Sequence, residues 1–347
     1  MYSRHFVAIQ EGLYTKTLRT LIILFLIAAL AVGGWLAWQL RAPVTPPANT
    51  FLLLRPGYST RRIAAELRKA GVIQNEHVFW LWHLLKPKST LKAGEYLFDR
   101  EATLPQVYER IARGDIYFHV VTIPEGYTIF DIAKAIEDAG LGSAENFLHI
   151  AETQTQLISD LAPEAKSLEG YLFPETYRFT RTQTQEEMAA AMVHQFRTVA
   201  REIGLTADIP RVVTMASIVE KETAAPDERP LVASVYYNRL EQNMALDADP
   251  SVIYAELLAG TYQGSLHHAD LAVSSPYNTY RFPGLPPGPI GNPGRSALQA
   301  ALHPEDSKFL YFVSDGNGHH RFARSLEEHN RNVAAYRRSL NHSLGPR

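Results

Sequence analysis

The sequence predicts an α+β protein with a single N-terminal transmembrane helix, a small α/β subdomain and a larger mixed α/β domain. Three observations carry that expectation. An uncharged apolar run lies near the N-terminus, a strand–turn–helix pattern occurs twice, and a long helix-rich region broken by one Pro/Gly stretch follows. The 347 residues are enough for two or three compact units at roughly 100–200 residues each.

From Thr20 to Leu40 (TLIILFLIAALAVGGWLAWQL) there is no charged side chain. A helix of this length rises about 31 Å at about 1.5 Å per residue, the thickness of a bilayer's hydrocarbon core. Lys16 and Arg19 precede it, with Arg4 further upstream, and Trp35 and Trp38 stand near its far end as interfacial aromatics do. The positive-inside rule favours a cytoplasmic segment 1–19, although Arg41 weakens the asymmetry. A cleaved signal peptide is the main rival, with an apolar region usually shorter than this one. The expectation is a single-pass anchor over 20–40, a Pro-rich linker over 41–50 (RAPVTPPANT), and the remainder of the chain outside the cytoplasm. A formal charge of −2 argues against a general nucleic-acid binder, and the lack of cysteine excludes thiol nucleophiles, disulfides and cysteine metal sites.

After the linker, "RPGYSTRRIAAELRKAGVIQNEHVF" and "IPEGYTIFDIAKAIEDAGLGSAENFL" align without a gap at an offset of 69 residues. Gly57-Tyr58-Ser59 matches Gly126-Tyr127-Thr128, Ile63-Ala64 matches Ile132-Ala133, and Ala70-Gly71 matches Ala139-Gly140. Each copy reads as strand, Pro/Gly turn, a helix with Ser or Thr near its start, and a glycine after its end. Such self-similarity points to a duplicated supersecondary unit. The first copy, with the strand-like "LKAGEYLF" behind it, resembles a LysM-type glycan-binding module, giving a LysM-like subdomain over 51–120. A plain α/β spacer domain is the alternative.

The larger domain, 121–340, holds the residues that carry chemistry. "SLEGYLFPETYRFT" (167–180) is aromatic-rich and contains Glu169 and Glu175. A helix over Gln185–Ile203 is apolar at Met188, Met192, Phe196 and Val199, the spacing of a core face. Asp208-Ile209-Pro210 starts the next helix, on which Val212, Val213, Met215, Ala216, Ile218 and Val219 leave almost no polar face. Glu220 continues the stripe of Val213 and Ala216, whereas Glu222 lies about 200° round the axis and points elsewhere. Burial penalises a carboxylate's charge, so an acid here holds its proton towards neutral pH and can give it to a leaving group. The competing reading is a helix-end glutamate paired with a surface cation.

"ASIVEKE", with "LEGYLFPETY" before it and "NRL", "DADPSVIY", "PYNTY", "GLPPGPIGNPG" and "ALHPEDSKFLYFV" after it, resembles the YceG-like (MltG) endolytic murein transglycosylases. The ordered series runs from the anchor almost to the C-terminus. The resemblance implies an inner-membrane protein with a periplasmic LysM-like region and a catalytic domain. It implies cleavage of the β-1,4 bond between N-acetylmuramic acid and N-acetylglucosamine in nascent peptidoglycan strands, leaving 1,6-anhydro-muramic acid ends. Glu220 takes the family's catalytic position, acting first as acid and then as base while the muramyl C6 hydroxyl replaces water. The substrate is peptidoglycan; no cofactor and no metal are implied. Proximity to the cell-wall synthesis machinery is implied too, with no residue identifying a contact.

Tyr277, Asn278 and Thr279 combine an aromatic ring, an amide and a hydroxyl, which suits sugar hydroxyls and acetamido groups. Asn238 and Asp249 lie in the family's motifs and are candidates to hold substrate or orient Glu220. Structural roles as helix caps compete for each of them. Glu175 is the candidate second carboxylate, against the reading of a solvated loop glutamate. Three other functions stay open: a hydrolytic muramidase, a non-catalytic peptidoglycan-binding protein, and a metal hydrolase built on His267-His268-Asp270 or His319-His320. Neither histidine pair has the HExxH spacing that puts two ligands on one helix face.

Overall fold

The computed structural model describes residues 3–86 and 89–343. Residues 1 and 2 of the expected segment 1–19 lie outside the described residues. The chain divides into two compact units, 1–118 with 180–182, and 119–179 with 183–347. Among the described residues there are twelve α-helices and three separate two-stranded antiparallel sheets, so helices dominate and the strands come as local pairs.

In the first unit, α1 (Ser3–Arg41) contains an apolar, unburied span over Lys16–Arg41 that is long enough to cross a membrane. Its last turns differ, because Leu36 and Leu40 pack against the unit's core. The Pro-rich stretch read as a linker is docked. Val44 and Ala102 exchange both backbone hydrogen bonds, at 2.9 and 3.0 Å, and Pro46 is buried. β1 (Thr50–Leu54) then points Leu52 and Leu54 inward and Phe51 out. α2 (Thr60–Lys69) starts at Ser59, whose hydroxyl accepts the Arg62 N–H. α3 (Glu76–Leu84) starts at Asn75, whose side chain accepts the His77 and Val78 N–H groups. β2 (Gly94–Phe98) returns antiparallel to β1, and α4 (Leu104–Arg113) closes the unit. Leu54, Leu67, Phe79, Tyr96, Tyr108 and Ile111 form its centre. Tyr96 resolves its buried hydroxyl by donating to the Lys92 carbonyl at 2.9 Å.

The second unit opens with the same pattern, in register with the offset of 69. β3 (His119–Thr122) leads to a turn at Gly126, whose φ of +78° matches the +84° of Gly57. α5 (Ile129–Asp138) is capped by Thr128 in a reciprocal box with Asp131. Gly140 then takes the left-handed conformation that Gly71 takes in the first copy, α6 (Ala144–Thr153) follows, and β4 (Thr176–Phe179) pairs antiparallel with β3. The duplication is therefore structural: strand, two helices and a returning strand, twice.

The rest of the second unit is a helical assembly. α7 (Gln185–Glu202) buries Met188, Met192, Phe196 and Val199. α8 (Ile209–Glu222) is central, with every residue from Val212 to Val219 buried. Its two small polar residues are satisfied: Thr214 donates to the Pro210 carbonyl, and Ser217 donates to the Thr214 carbonyl and accepts the Ile290 N–H. α9 (Arg229–Glu241), α10 (Asp249–Ala259) and α11 (Arg295–Leu302) complete the helical body, α11 packing on both α8 and α9. A hairpin of β5 (Tyr311–Ser314) and β6 (His320–Ala323) and then α12 (Leu326–Ser343) end the described chain.

Candidate active site

Glu220 stands in the last turn of the buried helix α8, with its side chain 5% exposed. Three further segments converge on it. The turn between β3 and α5 brings Glu125 and Gly126, the start of α9 brings Arg229, and the Pro/Gly stretch before α11 brings Gly294. Arg229 Nη2 donates to Glu220 Oε1 at 2.6 Å, and the Gly294 N–H donates to Oε2 at 2.9 Å. Arg229, itself buried, also places Nη1 3.5 Å from Glu125 Oε2. A Cβ at Gly294 would meet the Glu125 carboxylate, so any larger residue there would have to displace that side chain.

Burial pushes the Glu220 carboxyl above its ordinary range, against the opposing pull of the Gly294 N–H and the Arg229 guanidinium. The two influences suit a proton that must leave and return. Burial favours the acid, and once the proton is gone two donors already face the oxygens that carry the charge. The surface pair that competed with this reading does not form, because the cation is Arg229 and it is buried.

Behind the site lies a buried polar latch. Asn292 Nδ2 donates to Glu169 Oε1 at 2.8 Å and to the Tyr127 carbonyl at 2.9 Å. Its Oδ1 accepts the Leu172 N–H, its backbone N–H donates to Tyr127, and its carbonyl accepts the Gly126 N–H. Glu169 Oε2 accepts the Ile129 N–H at 3.0 Å, and Tyr254 donates to the same carboxyl. Complete burial pushes Glu169 up to about 8 in spite of those donors. One asparagine and one glutamate thus clamp the 291–294 segment to the turn that bears Glu125.

The other expected residues are dispersed. Asn278 is fully buried: its amide donates to the Leu271 and Val273 carbonyls and its oxygen accepts the Tyr280 N–H. Thr279, also buried, accepts the Ala248 N–H and meets Ser251. Asn238 spends both amide hydrogens on the Ser307 and Phe309 carbonyls. The polar side-chain atoms of these three thus make hydrogen bonds inside the fold, as the competing structural roles have it. Asp249 starts α10 and accepts the Tyr280 hydroxyl at 2.6 Å, facing a different cavity with Glu222 and Arg239. Glu222 does diverge from Glu220, as the helix geometry requires, and burial raises it to about 7. Tyr277 alone of the sugar-binding candidates lines an open space beside Glu169, a cavity of about 240 Å³ walled by Tyr171, Pro287 and Pro289. Glu175 is exposed and accepts the Thr176 N–H. The second carboxylate at the site is instead Glu125.

Sequence reasoning missed Glu125 and Arg229. Glu125 was visible as the acid in "IPEGYT" where the aligned first copy has Pro56, and Arg229 lies nine residues after Glu220, across the turn between α8 and α9.

Glu220 is thus a buried carboxylate with two fixed donors on its oxygens and an Arg-linked acidic neighbour in Glu125. The YceG-like family profile matches residues 52–335. The endolytic murein transglycosylase of Bacillus subtilis (strain 168) is 34% identical over 337 residues, covering 90% of this chain and 92% of that protein. A protein of the same name from Streptococcus pneumoniae serotype 2 is 29% identical, and the match spans 92% of this chain and 65% of that longer protein. The crystal structure of a yceG-like protein from Listeria monocytogenes superposes with a TM-score of 0.56 at 33% identity, covering 81% of this chain and 97% of the other. The chain belongs to the YceG-like family.

Proposed function

We propose that this chain is an endolytic murein transglycosylase, cutting the bond between N-acetylmuramic acid and N-acetylglucosamine within peptidoglycan strands. The observation that carries the reading is Glu220 itself, buried at the end of α8 and met by Arg229 and the Gly294 N–H. In the first step the Glu220 proton passes to the glycosidic oxygen and the C1–O bond breaks. Arg229 and Gly294 stabilise the carboxylate that remains. In the second step the muramyl C6 hydroxyl attacks C1, its proton returns to Glu220, and a 1,6-anhydro ring closes. No water is consumed, which accounts for a site that does not need the two carboxyl groups of an ordinary glycosidase.

The remaining assignments follow the same reading. Residues 20–40, within the apolar span Lys16–Arg41, anchor the protein in the bacterial inner membrane, with 1–19 cytoplasmic and the chain after the helix periplasmic. Residues 51–120 form a LysM-like glycan-binding subdomain, a reading supported by their strand–helix–helix–strand order. The catalytic domain spans 121–340, and Tyr277 offers its ring to a sugar at the cavity it lines. Working near the cell-wall synthesis machinery fits a membrane-anchored enzyme of this substrate.

The test incubates the detergent-solubilised full chain with purified peptidoglycan and weighs the unreduced products by mass spectrometry, beside Glu220→Gln. Anhydro-muramyl ends with the unaltered chain and none with the variant support the proposal. Reducing ends would make the protein a muramidase, with Glu125 as the second carboxylate to examine. Intact strands from both would leave a binding protein.

A further inference from the structure

The end of α3 carries an apolar face that stays exposed among the described residues. Val78 and Phe79 turn into the core, but Leu81, Leu84 and Leu85 are exposed by 39%, 51% and 68%. Their i, i+3, i+4 spacing puts them on one face. Among the described residues of the first unit outside α1, Phe51 is the only other large apolar side chain so exposed.

Two further facts single out this face. All four tryptophans of the chain lie on two helices that touch: Trp35 and Trp38 on α1, Trp80 and Trp82 on α3. Tryptophan gathers at membrane–water interfaces, where its ring is apolar and its N–H needs a polar neighbour. Basic groups stand beside the rings, with the Arg61 guanidinium 5.1 Å over Trp80 and the Lys86 ammonium 5.6 Å over Trp82. The second copy of the repeat supplies a control. At the positions equivalent to Trp80, Leu84 and Leu85 it has His149, Thr153 and Gln154, and the equivalent of Leu81, Ile150, is buried. The apolar surplus belongs to the copy that is joined to the anchor.

We propose that the exposed end of α3, with Leu81, Leu84, Leu85 and Trp80, dips into the bilayer surface beside α1, so that the first unit rests on the membrane through two contacts. The occupant is lipid, because α3 touches α1, whose apolar span is long enough to cross a membrane and exposes its large apolar side chains from Leu18 to Val32. Its basic rim suits anionic headgroups. The inference rests on α1 spanning a bilayer.

The chain has no cysteine, so single cysteines can be placed without background. The full chain carrying Leu84→Cys, Leu30→Cys or Leu258→Cys is spin-labelled and reconstituted in phosphatidylethanolamine–phosphatidylglycerol vesicles. Collisions with oxygen and with a nickel chelate then give each label's depth. Leu84 is expected to lie about 5–10 Å below the headgroup boundary, as interfacial helices do. Leu30 should lie deeper, and Leu258 of the second unit should be aqueous. A Leu84 label as chelate-accessible as Leu258, with Leu30 still deep, overturns the inference and leaves the anchor standing. A Leu84 label shielded from both reagents means that protein covers the face, which overturns it too. A Leu30 label in water removes the anchor and the inference with it.

Discussion

The two copies of the strand–helix–helix–strand unit share their turns, caps and register, yet only the second contributes to the site. Both turns close on themselves, with the Tyr58 N–H donating to the Arg55 carbonyl in the first and the Tyr127 N–H to the Pro124 carbonyl in the second. In the second, the turn is spoken for by distant chain: Asn292 holds Gly126 and Tyr127, Glu169 holds Ile129, and Glu125 reaches Arg229. Backbone geometry is common to both. The difference lies in what is packed on the turn and in two residues, Pro124-Glu125 against Arg55-Pro56. A supersecondary unit thus supplies a rigid edge, and chemistry is added to it from elsewhere.

That comparison can be broken in several ways, in order of expected effect. Asn292→Ala removes the clamp on the second turn alone. Strand cutting should fall about 100-fold, the usual cost of displacing a catalytic group by about 1 Å, while peptidoglycan pull-down persists. If cutting is unchanged, the latch does not position the site.

Glu169→Gln probes the same clamp through pH. The folded-state value of about 8 lies above the ordinary 4.5, so between the two the folded state binds more protons than the unfolded. Stability of the second unit should therefore fall as pH rises from about 5 to about 8, by several kcal/mol in all at about 1.4 kcal/mol per unit. Chemical denaturation across that range should show a flatter profile for Glu169→Gln.

Glu125→Gln should slow cutting by less than about tenfold, because a half-exposed pair is worth about 1 kcal/mol or less. Its counterpart Pro56→Gln should leave the rate of the full chain unchanged. Equal effects of the two would dissolve the contrast between the turns. Smallest of all, Ser59→Ala and Thr128→Ala remove matched caps, each costing about 1 kcal/mol. Thr128 should cost more, since its hydroxyl also engages Asp131. Thermal melts of the two variants would rank them.

Local features were legible in the sequence. The repeat, its caps and its glycines are spaced by 69 residues because each depends on neighbours within a few positions. The divergence of Glu220 from Glu222 follows from helical geometry alone. Burial decided by distant packing was not legible. Glu169 and Glu175 stand in the same aromatic stretch, yet distant groups, among them Asn292, 123 residues on, meet the first and leave it buried while the second is exposed. Asn278 and Thr279 looked like recognition residues by chemical type, whereas loops around Leu271 and Ala248 consume their polar atoms. Arg229 could not be assigned without knowing that the α8–α9 turn folds back on Glu220.

The pairing of Val44 with Ala102 has a mechanical consequence. Extended chain reaches about 3.3–3.6 Å per residue, so a free stretch over 42–49 would let β1 wander nearly 30 Å from the end of α1. Sewn down by two backbone hydrogen bonds and a buried proline, the same stretch has almost no slack. Lengthening the chain between Arg41 and Val44 would then be felt as added play in a joint built stiff, whereas the same insertion in a loose tether would go unnoticed.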